Sequence, residues 1–275
     1  DFEECKELEV WEEAHLSEIR SMVVMNKYQR NVFLTSCDSE LKFWDLTNGK
    51  CLNKVKEMSF VSCLTYMGSL IATQFITGHS MMIKLWDYNN IKSSNQLSET
   101  GPVVGKGIGH NNVITCFLHF SHVNAFYLLS GSKDSSIILW DLSVFEIKNT
   151  FRGHRRAITS ICPLLKKYFI SASDDHTLRV WHFNRENEVF HVLCSEFEIS
   201  FVLNLTKYYE DNIVAIGTRG GELKTINFHN NKFLQESHAR LYLTSYVMLH
   251  HSNNYMMAVL EGDYHLRLVS FKPRD

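Results

Sequence analysis

The sequence predicts an all-β fold assembled from repeated units of short strands. Four of the five Trp residues lie in similar strings, "SELKFWDL" at Trp44, "SMMIKLWDY" at Trp86, "SSIILWDL" at Trp140 and "HTLRVWHF" at Trp181, which are 42, 54 and 41 residues apart. The chain also contains 18 Phe and 11 Tyr but only 3 Pro. Aromatic and β-branched side chains fit the pleated, half-buried surface of a strand. Self-similarity at a period of about 20 to 50 residues indicates a repeat architecture.

Each unit has a strand–turn–strand pattern. The pairs Gly109-His110 and Gly153-His154 precede the third and fourth Trp strings, and an alternating apolar run follows each pair. A small-residue stretch and a tight turn at Asp come next, in "LLSGSKDS" and "FISASDDH". Period-two alternation bounded by polar turns predicts strands. Two further units, at 212–228 and 255–271, keep this pattern without the Trp, so we count six units.

These motifs resemble the WD40 repeat, and the resemblance covers nearly the whole chain. It implies a β-propeller of four-stranded blades, with six blades expected and seven still open. The opening "KELEVWEEAH" resembles an outer strand, whereas Leu243 to Phe271 supplies only three strands. Pairing the N-terminal strand with this last blade would close the ring and cover an exposed edge. We therefore expect a single domain over 1–275, part of a longer chain, with a longer surface loop at 89–109.

The resemblance also implies a hydrogen-bonded tetrad in each complete blade. Its members are the His of the Gly-His pair, a Ser or Thr on the second strand, the turn Asp and the Trp of the third strand. Buried polar groups of these kinds are tolerated when each finds a partner. The matching residues are His110, Ser130, Asp134 and Trp140 in one unit and His154, Ser171, Asp175 and Trp181 in the next.

The same residue types raise the alternative of a Ser–His–Asp hydrolase. A catalytic triad is needed once, whereas this set recurs in consecutive units. Ser171 lies inside a predicted strand and lacks the strand–helix setting of a G-x-S-x-G nucleophile. We therefore expect the set to be structural and the protein not to be an enzyme.

Other units depart from the pattern. Near Trp44 the turn is one residue shorter, so either Thr35 or Ser36 could supply the hydroxyl, beside His15 and Asp38. The segment "FITGHSMM" before Trp86 has no Asp, so no full tetrad is expected there. The last unit keeps His238 and Asp263 but has Val269 at the Trp position.

Composition narrows the functional classes. A net charge of −2 gives no sign of a general nucleic-acid binder, which is normally basic. Seven Cys never form CxxC, which favours reduced thiols in a cytoplasmic or nuclear protein. No apolar run approaches the roughly 20 residues of a membrane span. No phosphate-binding loop or metal-ligand spacing is present, so we expect no cofactor and no metal ion.

The resemblance to WD40 proteins implies an interaction scaffold or adaptor that binds other proteins or peptides. A sharper alternative is a reader of acidic or phosphorylated motifs, for example a ubiquitin-ligase substrate receptor, although the Trp-Asp-x-Arg string of many such receptors is absent. Arginine favours bidentate contacts with carboxylate and phosphate. The face that carries the Gly-His pairs and the Asp turns, hereafter the top face, is expected to present four cations that would make this contact: Lys133, Arg155, Arg156 and Arg219. The oligomeric state stays open.

Overall fold

In a computed structural model the chain is all-β. The structure describes residues 17, 19–27, 30–38, 40–45, 48–56, 61–68, 73–79, 81–87, 103–122, 125–165, 167–185, 188–193, 195–205, 213–227, 232–238, 243–251, 254–261 and 265–271. These residues form 23 strands and no helix. They divide into two compact units, one up to Lys106 and the other from Gly107 onward.

The first unit contains two antiparallel sheets of four strands, each ordered as in the sequence. The first sheet consists of β1 (Ser21–Lys27), β2 (Arg30–Ser36), β3 (Glu40–Asp45) and β4 (Cys51–Lys56). The second consists of β5 (Val61–Gly68), β6 (Thr73–His79), β7 (Met82–Asp87) and β8 (Val103–Ile108), whose last two residues fall past the unit boundary.

The second unit contains three four-stranded sheets and one three-stranded sheet among the residues described. The first four-stranded sheet consists of β9 (Ile114–His122), β10 (Ala125–Ser132), β11 (Ile137–Asp141) and β12 (Glu146–Phe151). The next consists of β13 (Ile158–Leu165), β14 (Tyr168–Ser173), β15 (Thr177–His182) and β16 (Glu188–Leu193). The third consists of β17 (Ile199–Asn204), β18 (Ile213–Thr218), β19 (Glu222–Asn227) and β20 (Lys232–His238). The three-stranded sheet contains β21 (Leu243–His251), β22 (Asn254–Glu261) and β23 (His265–Phe271).

The regular meander confirms the all-β prediction and the repeated unit. A register shift occurs at Trp44, Trp140 and Trp181, each on the third strand of its sheet, and Ile226 has the same position on β19. Leu243 to Phe271 forms three strands, as predicted. The N-terminal segment expected to complete this sheet lies outside the described residues.

The predicted loop at 89–109 was wrong for residues 103–108, which form β8. The two glycines in "VVGKGI" favoured a loop in the sequence. In the structure these residues nevertheless pair with β7 as the fourth strand of the second sheet. The part of the segment before Val103 lies outside the described residues.

Apolar layers between consecutive sheets form the core of each unit. In the second unit, side chains of β10–β12 pack on Ile158, Ile161, Phe169 and Trp181 of the next sheet. A second layer joins β13–β15 to β17–β19. A strand that is covered on both faces has a continuous run of apolar residues in the sequence. Strand β11 is an example, since Ile137 to Trp140 are all buried.

First strands of neighbouring sheets lie side by side in the second unit. The Thr159 hydroxyl of β13 donates to the Ile199 carbonyl of β17 over 2.7 Å. Gly131, which follows Ser130 on β10, also lets β13 come close, since a Cβ added to it would lie 2.6 Å from Ile158 Cγ2. The sheets therefore hold their top-face turns in fixed positions.

Candidate functional site

The top-face turns share one conformation in three consecutive sheets. The turns β10–β11, β14–β15 and β18–β19 each contain a residue with positive φ, Ser135 at 67°, His176 at 70° and Gly221 at 84°. The N–H of each donates to a carbonyl three residues earlier, over 3.1 to 3.2 Å. Each positive-φ residue is preceded by a residue in an equivalent place in its sheet: Asp134, Asp175 and Gly220.

The structure brings the four predicted residues of the Trp140 unit together in a continuous chain of hydrogen bonds, hereafter the Trp140 network. The indole Nε1–H donates to Ser130 Oγ over 2.8 Å, and His110 Nε2 lies 2.7 Å from the same oxygen. His110 Nδ1 lies 3.0 Å from Asp134 Oδ2. Ser136, which the sequence pattern did not predict as a member, donates its hydroxyl to Asp134 Oδ1 over 2.6 Å.

The next sheet repeats this geometry in the Trp181 network. Trp181 Nε1 donates to Ser171 Oγ over 2.8 Å, and His154 Nε2 lies 2.7 Å from that oxygen. His154 Nδ1 lies 2.9 Å from Asp175 Oδ2. The Thr177 hydroxyl donates to the second carboxylate oxygen over 2.6 Å, as Ser136 does in the preceding sheet.

The pKa shifts fix the direction of these hydrogen bonds. Burial lowers the pKa of both His110 and His154, which keeps the rings neutral. Burial acts to raise the pKa of Asp134 and Asp175, but the hydrogen bonds from the neighbouring hydroxyls, N–H groups and imidazoles outweigh it, and both values fall below the ordinary range. Each imidazole therefore donates Nδ1–H to an ionised carboxylate and accepts the Ser proton at Nε2.

This proton arrangement resembles a Ser–His–Asp triad, but the serines lie in the interior. The exposed fraction of both Ser130 and Ser171 is 0%. Each Oγ also accepts an indole N–H, so one of its lone pairs is already used. In this conformation no substrate carbonyl can reach either oxygen, and a satisfied polar chain in a dry core stabilises and orients the sheet.

Hydroxyl partners for Trp also occur in the first unit. Trp44 Nε1 donates to Thr35 Oγ1 over 2.8 Å, which decides between Thr35 and Ser36. Trp86 Nε1 donates to Thr77 Oγ1 over 2.9 Å, a partner that the sequence pattern did not predict. His15 lies outside the described residues, and Asp38 is exposed and pairs with Arg20 at 3.2 Å.

The β17–β20 sheet replaces the network with different chemistry. Ile216 and Ile226 stand where the preceding sheet has Ser171 and Trp181, and both are fully buried. Near the turn, the Ser195 hydroxyl donates to Glu222 Oε2 over 2.7 Å, and Lys224 Nζ lies 3.0 Å from the same oxygen. Of the residues expected for the last unit, His238 ends β20 and Val269 lies on β23, but the side chains of both, and Asp263, lie outside the described residues.

The four predicted cations separate into two pairs. Arg156 and Arg219 both contact the Glu198 carboxylate, and Arg219 Nη2 also lies 3.5 Å from Asp174 Oδ1. Lys133 and Arg155 are exposed, and among the described residues neither side chain forms an ion pair. The structure thus leaves two open cations on the top face and two that are already paired.

Comparison with known proteins agrees with this geometry. The sequence model of the WD40 family (WD domain, G-beta repeat) matches residues 101–141 and 145–182, which include all eight residues of the two networks. The Set1 complex component swd1 of Schizosaccharomyces pombe is 33% identical over 73 residues, 26% of this chain and 18% of that protein. F-box/WD repeat-containing protein A of Dictyostelium discoideum is 34% identical over 148 residues, 51% of this chain and 11% of that protein.

Residues 101–141 and 145–182 of this chain are WD40 repeats. A solved structure, that of the computationally designed Ika8 protein, superimposes with a TM-score of 0.67 at 19% identity, covering 93% of this chain and 72% of that one, and supports the fold alone. All-antiparallel four-stranded sheets with WD40 repeats fit a β-propeller. The aligned segments span only 10% to 21% of the length of the curated relatives.

Proposed function

We propose that this WD40 chain is a non-catalytic scaffold that holds other proteins in a complex. The observation that carries the proposal is the pair of buried networks, whose reactive-looking serines are closed to solvent while the residues that follow the network histidines, Asn111, Asn112, Arg155 and Arg156, are exposed. Function concentrates on loops held by a rigid scaffold. Two relatives carry names of the same kind, the Set1 complex component swd1 and the p21-activated protein kinase-interacting protein 1-like of Xenopus laevis.

The finer architecture belongs to the same proposal. We infer six blades, with the N-terminal strand completing the β21–β23 sheet within a single domain, because the three-stranded sheet otherwise leaves an open edge. We also propose a cytoplasmic or nuclear location, which the sequence pattern of unpaired cysteines supports. The structure describes no helix that is long and apolar enough to cross a membrane.

A second candidate function is the reading of acidic or phosphorylated motifs by the top face. Lys133 and Arg155 favour it, since both are exposed and neither is neutralised by an ion pair within the described part of the chain. Such cations raise the association rate and select negatively charged partners. A ubiquitin-ligase substrate receptor is one protein class that would use this surface.

Affinity capture with charge-reversed variants tests both candidates. The test variant is Lys133→Glu/Arg155→Glu. The matched control is Lys167→Glu/Arg185→Glu. It reverses two exposed charges in the β13–β14 and β15–β16 turns, which both lie at the strand ends away from the top face. Loss of a partner set in the test variant alone would support the anionic-motif function, and retention by both variants would move the interface elsewhere on the scaffold. Turnover that Ser171→Ala abolishes at unchanged stability would contradict the scaffold function.

A further inference from the structure

A cluster of four charged residues on the top face joins two sheets of the second unit. Arg156 precedes β13, Asp174 lies in the β14–β15 turn, Glu198 precedes β17, and Arg219 lies in the β18–β19 turn. Arg156 Nη1 lies 2.9 Å from Glu198 Oε1, whereas Arg219 Nη1 pairs with the other oxygen, Oε2. One carboxylate thus holds two guanidinium groups side by side, each on its own oxygen.

The arginines retain binding capacity toward solvent. Each side chain is 54% exposed, compared with 24% for Glu198. Arg156 uses Nη1 both for Glu198 and for the Asp174 carbonyl at 3.0 Å, so its other N–H groups have no partner among the described residues. A guanidinium presents five donors in a planar fork, which suits a carboxylate or phosphate.

The small energy of exposed ion pairs and the buried position of Asp174 distinguish this cluster from a purely structural ion-pair bridge. Exposed ion pairs contribute only about 0 to 1 kcal/mol to stability. Asp174 Oδ1 is buried without a hydrogen bond, although Arg219 Nη2 lies 3.5 Å away. Burial raises the pKa of Asp174 despite its cationic neighbours. If Glu198 were displaced, Arg219 would keep Asp174 as an anionic neighbour at 3.5 Å, and Arg156 would keep its hydrogen bond to the Asp174 carbonyl.

We propose that Arg156 and Arg219 form a binding site for an anionic side chain of a partner protein, carboxylate or phosphorylated, and that Glu198 occupies this site in the free chain. The partner's anion displaces Glu198 toward solvent, while Asp174 retains Arg219. The inference rests on the proposed scaffold function and assigns to it a contact and a competing internal ligand. Phe197, 43% exposed with its ring against Gly220, supplies an apolar surface beside the site.

Peptide titration of the whole chain at low salt tests the displacement. The probes are a fluorescent hexaglutamate peptide, a peptide with three phosphoserines and a neutral glutamine peptide, with inorganic phosphate as a competitor. Glu198→Gln removes the internal ligand and should strengthen binding of both anionic peptides about threefold, the scale of releasing exposed ion pairs. Glu198→Asp should fall between Glu198→Gln and the unaltered chain, because its shorter side chain cannot reach both arginines.

Glu196→Gln is the matched control, since it removes an equal charge from an exposed neighbour that holds no guanidinium. Arg219→Gln should abolish the gain given by Glu198→Gln. Equal effects of Glu198→Gln and Glu196→Gln, or weaker binding by Glu198→Gln, would overturn the inference. If no variant binds either anionic peptide while the chain still captures its partners, this site is wrong and the scaffold function stands. If inorganic phosphate displaces the phosphoserine peptide but not the hexaglutamate peptide, the site is assigned to phosphorylated partners.

Discussion

Replacing Ser171 with alanine removes the hydroxyl that joins Trp181 to His154 in the core. The indole Nε1–H, now 2.8 Å from Ser171 Oγ, loses its acceptor, and His154 Nε2, at 2.7 Å, loses its donor. Both groups stay buried, and leaving one such group unsatisfied costs about 1 to 3 kcal/mol. We therefore expect Ser171→Ala to lower the free energy of unfolding by roughly 2 to 4 kcal/mol.

The chain offers a matched control on the neighbouring sheet. Ser200 of β17 also has a buried Oγ, but that atom has no hydrogen-bond partner within the described part of the chain. Removing an unsatisfied hydroxyl relieves a desolvation penalty, so Ser200→Ala should leave the stability unchanged or raise it slightly. Urea unfolding followed by tryptophan fluorescence and by circular dichroism measures both variants, and coincident curves justify the comparison of midpoints.

The difference between the two serine variants decides whether the network stabilises the fold. A Ser171→Ala midpoint that matches Ser200→Ala would refute the reasoning, because the two bonds to Ser171 would then contribute nothing. Ser130→Ala should reproduce the loss, since Ser130 occupies the same position in the preceding sheet. A large loss in one sheet and none in the other would show that the repeated geometry does not carry the energy.

Two further predictions follow from the structure. Thr35→Val keeps the shape of the side chain but removes the acceptor of Trp44, so it should cost about 1 to 2 kcal/mol in urea unfolding, whereas Ser36→Ala should cost less. The free energy of unfolding should also decrease in two steps as the pH is lowered. Below about pH 6.5 the histidines of the two networks bind protons in the unfolded chain but stay neutral in the folded chain. Below about pH 4 the same holds for the two network aspartates, which are protonated in the unfolded chain but stay ionised in the folded chain. His154→Gln should flatten the first step, and a wild-type slope between pH 7 and 5.5 in that variant would contradict the assignment.

The repeated unit can be predicted from the sequence alone, whereas the residues of both networks were implied by the resemblance of its motifs to the WD40 repeat. The hydroxyl on the second strand and the Trp on the third are diagonal neighbours in the strand register, two positions apart, and this relation holds whenever the turn between them keeps its length. Ser130 and Trp140 are 10 residues apart, as are Ser171 and Trp181. In the first unit the interval is 9 for both Thr35 and Thr77, so the shorter turn concealed the acceptor of Trp86.

The repeat pattern did not predict the interior of the β17–β20 sheet, because apolar packing there replaces the hydrogen-bonded network of the preceding sheet. Its two isoleucines fill the volume of the Trp–Ser pair without polar atoms, so no His or Asp is needed to satisfy them. Glu222 is buried near the turn and is satisfied instead by Ser195 and Lys224. Because this pairing uses different residue types at different positions, a search for the Trp motif could not reveal it.

The charged cluster was beyond sequence reasoning for a different reason. Repeat spacing places Arg156 and Arg219 on turns, but it does not say which turns meet. Glu198 lies 42 residues from Arg156 and 21 from Arg219, and only the packing of two sheets brings all three together. Counting cations along the chain therefore overestimated the free positive charge of the top face. The same packing that neutralises the two arginines also aligns them, and for this reason the Glu198 variants separate a binding site from a structural bridge.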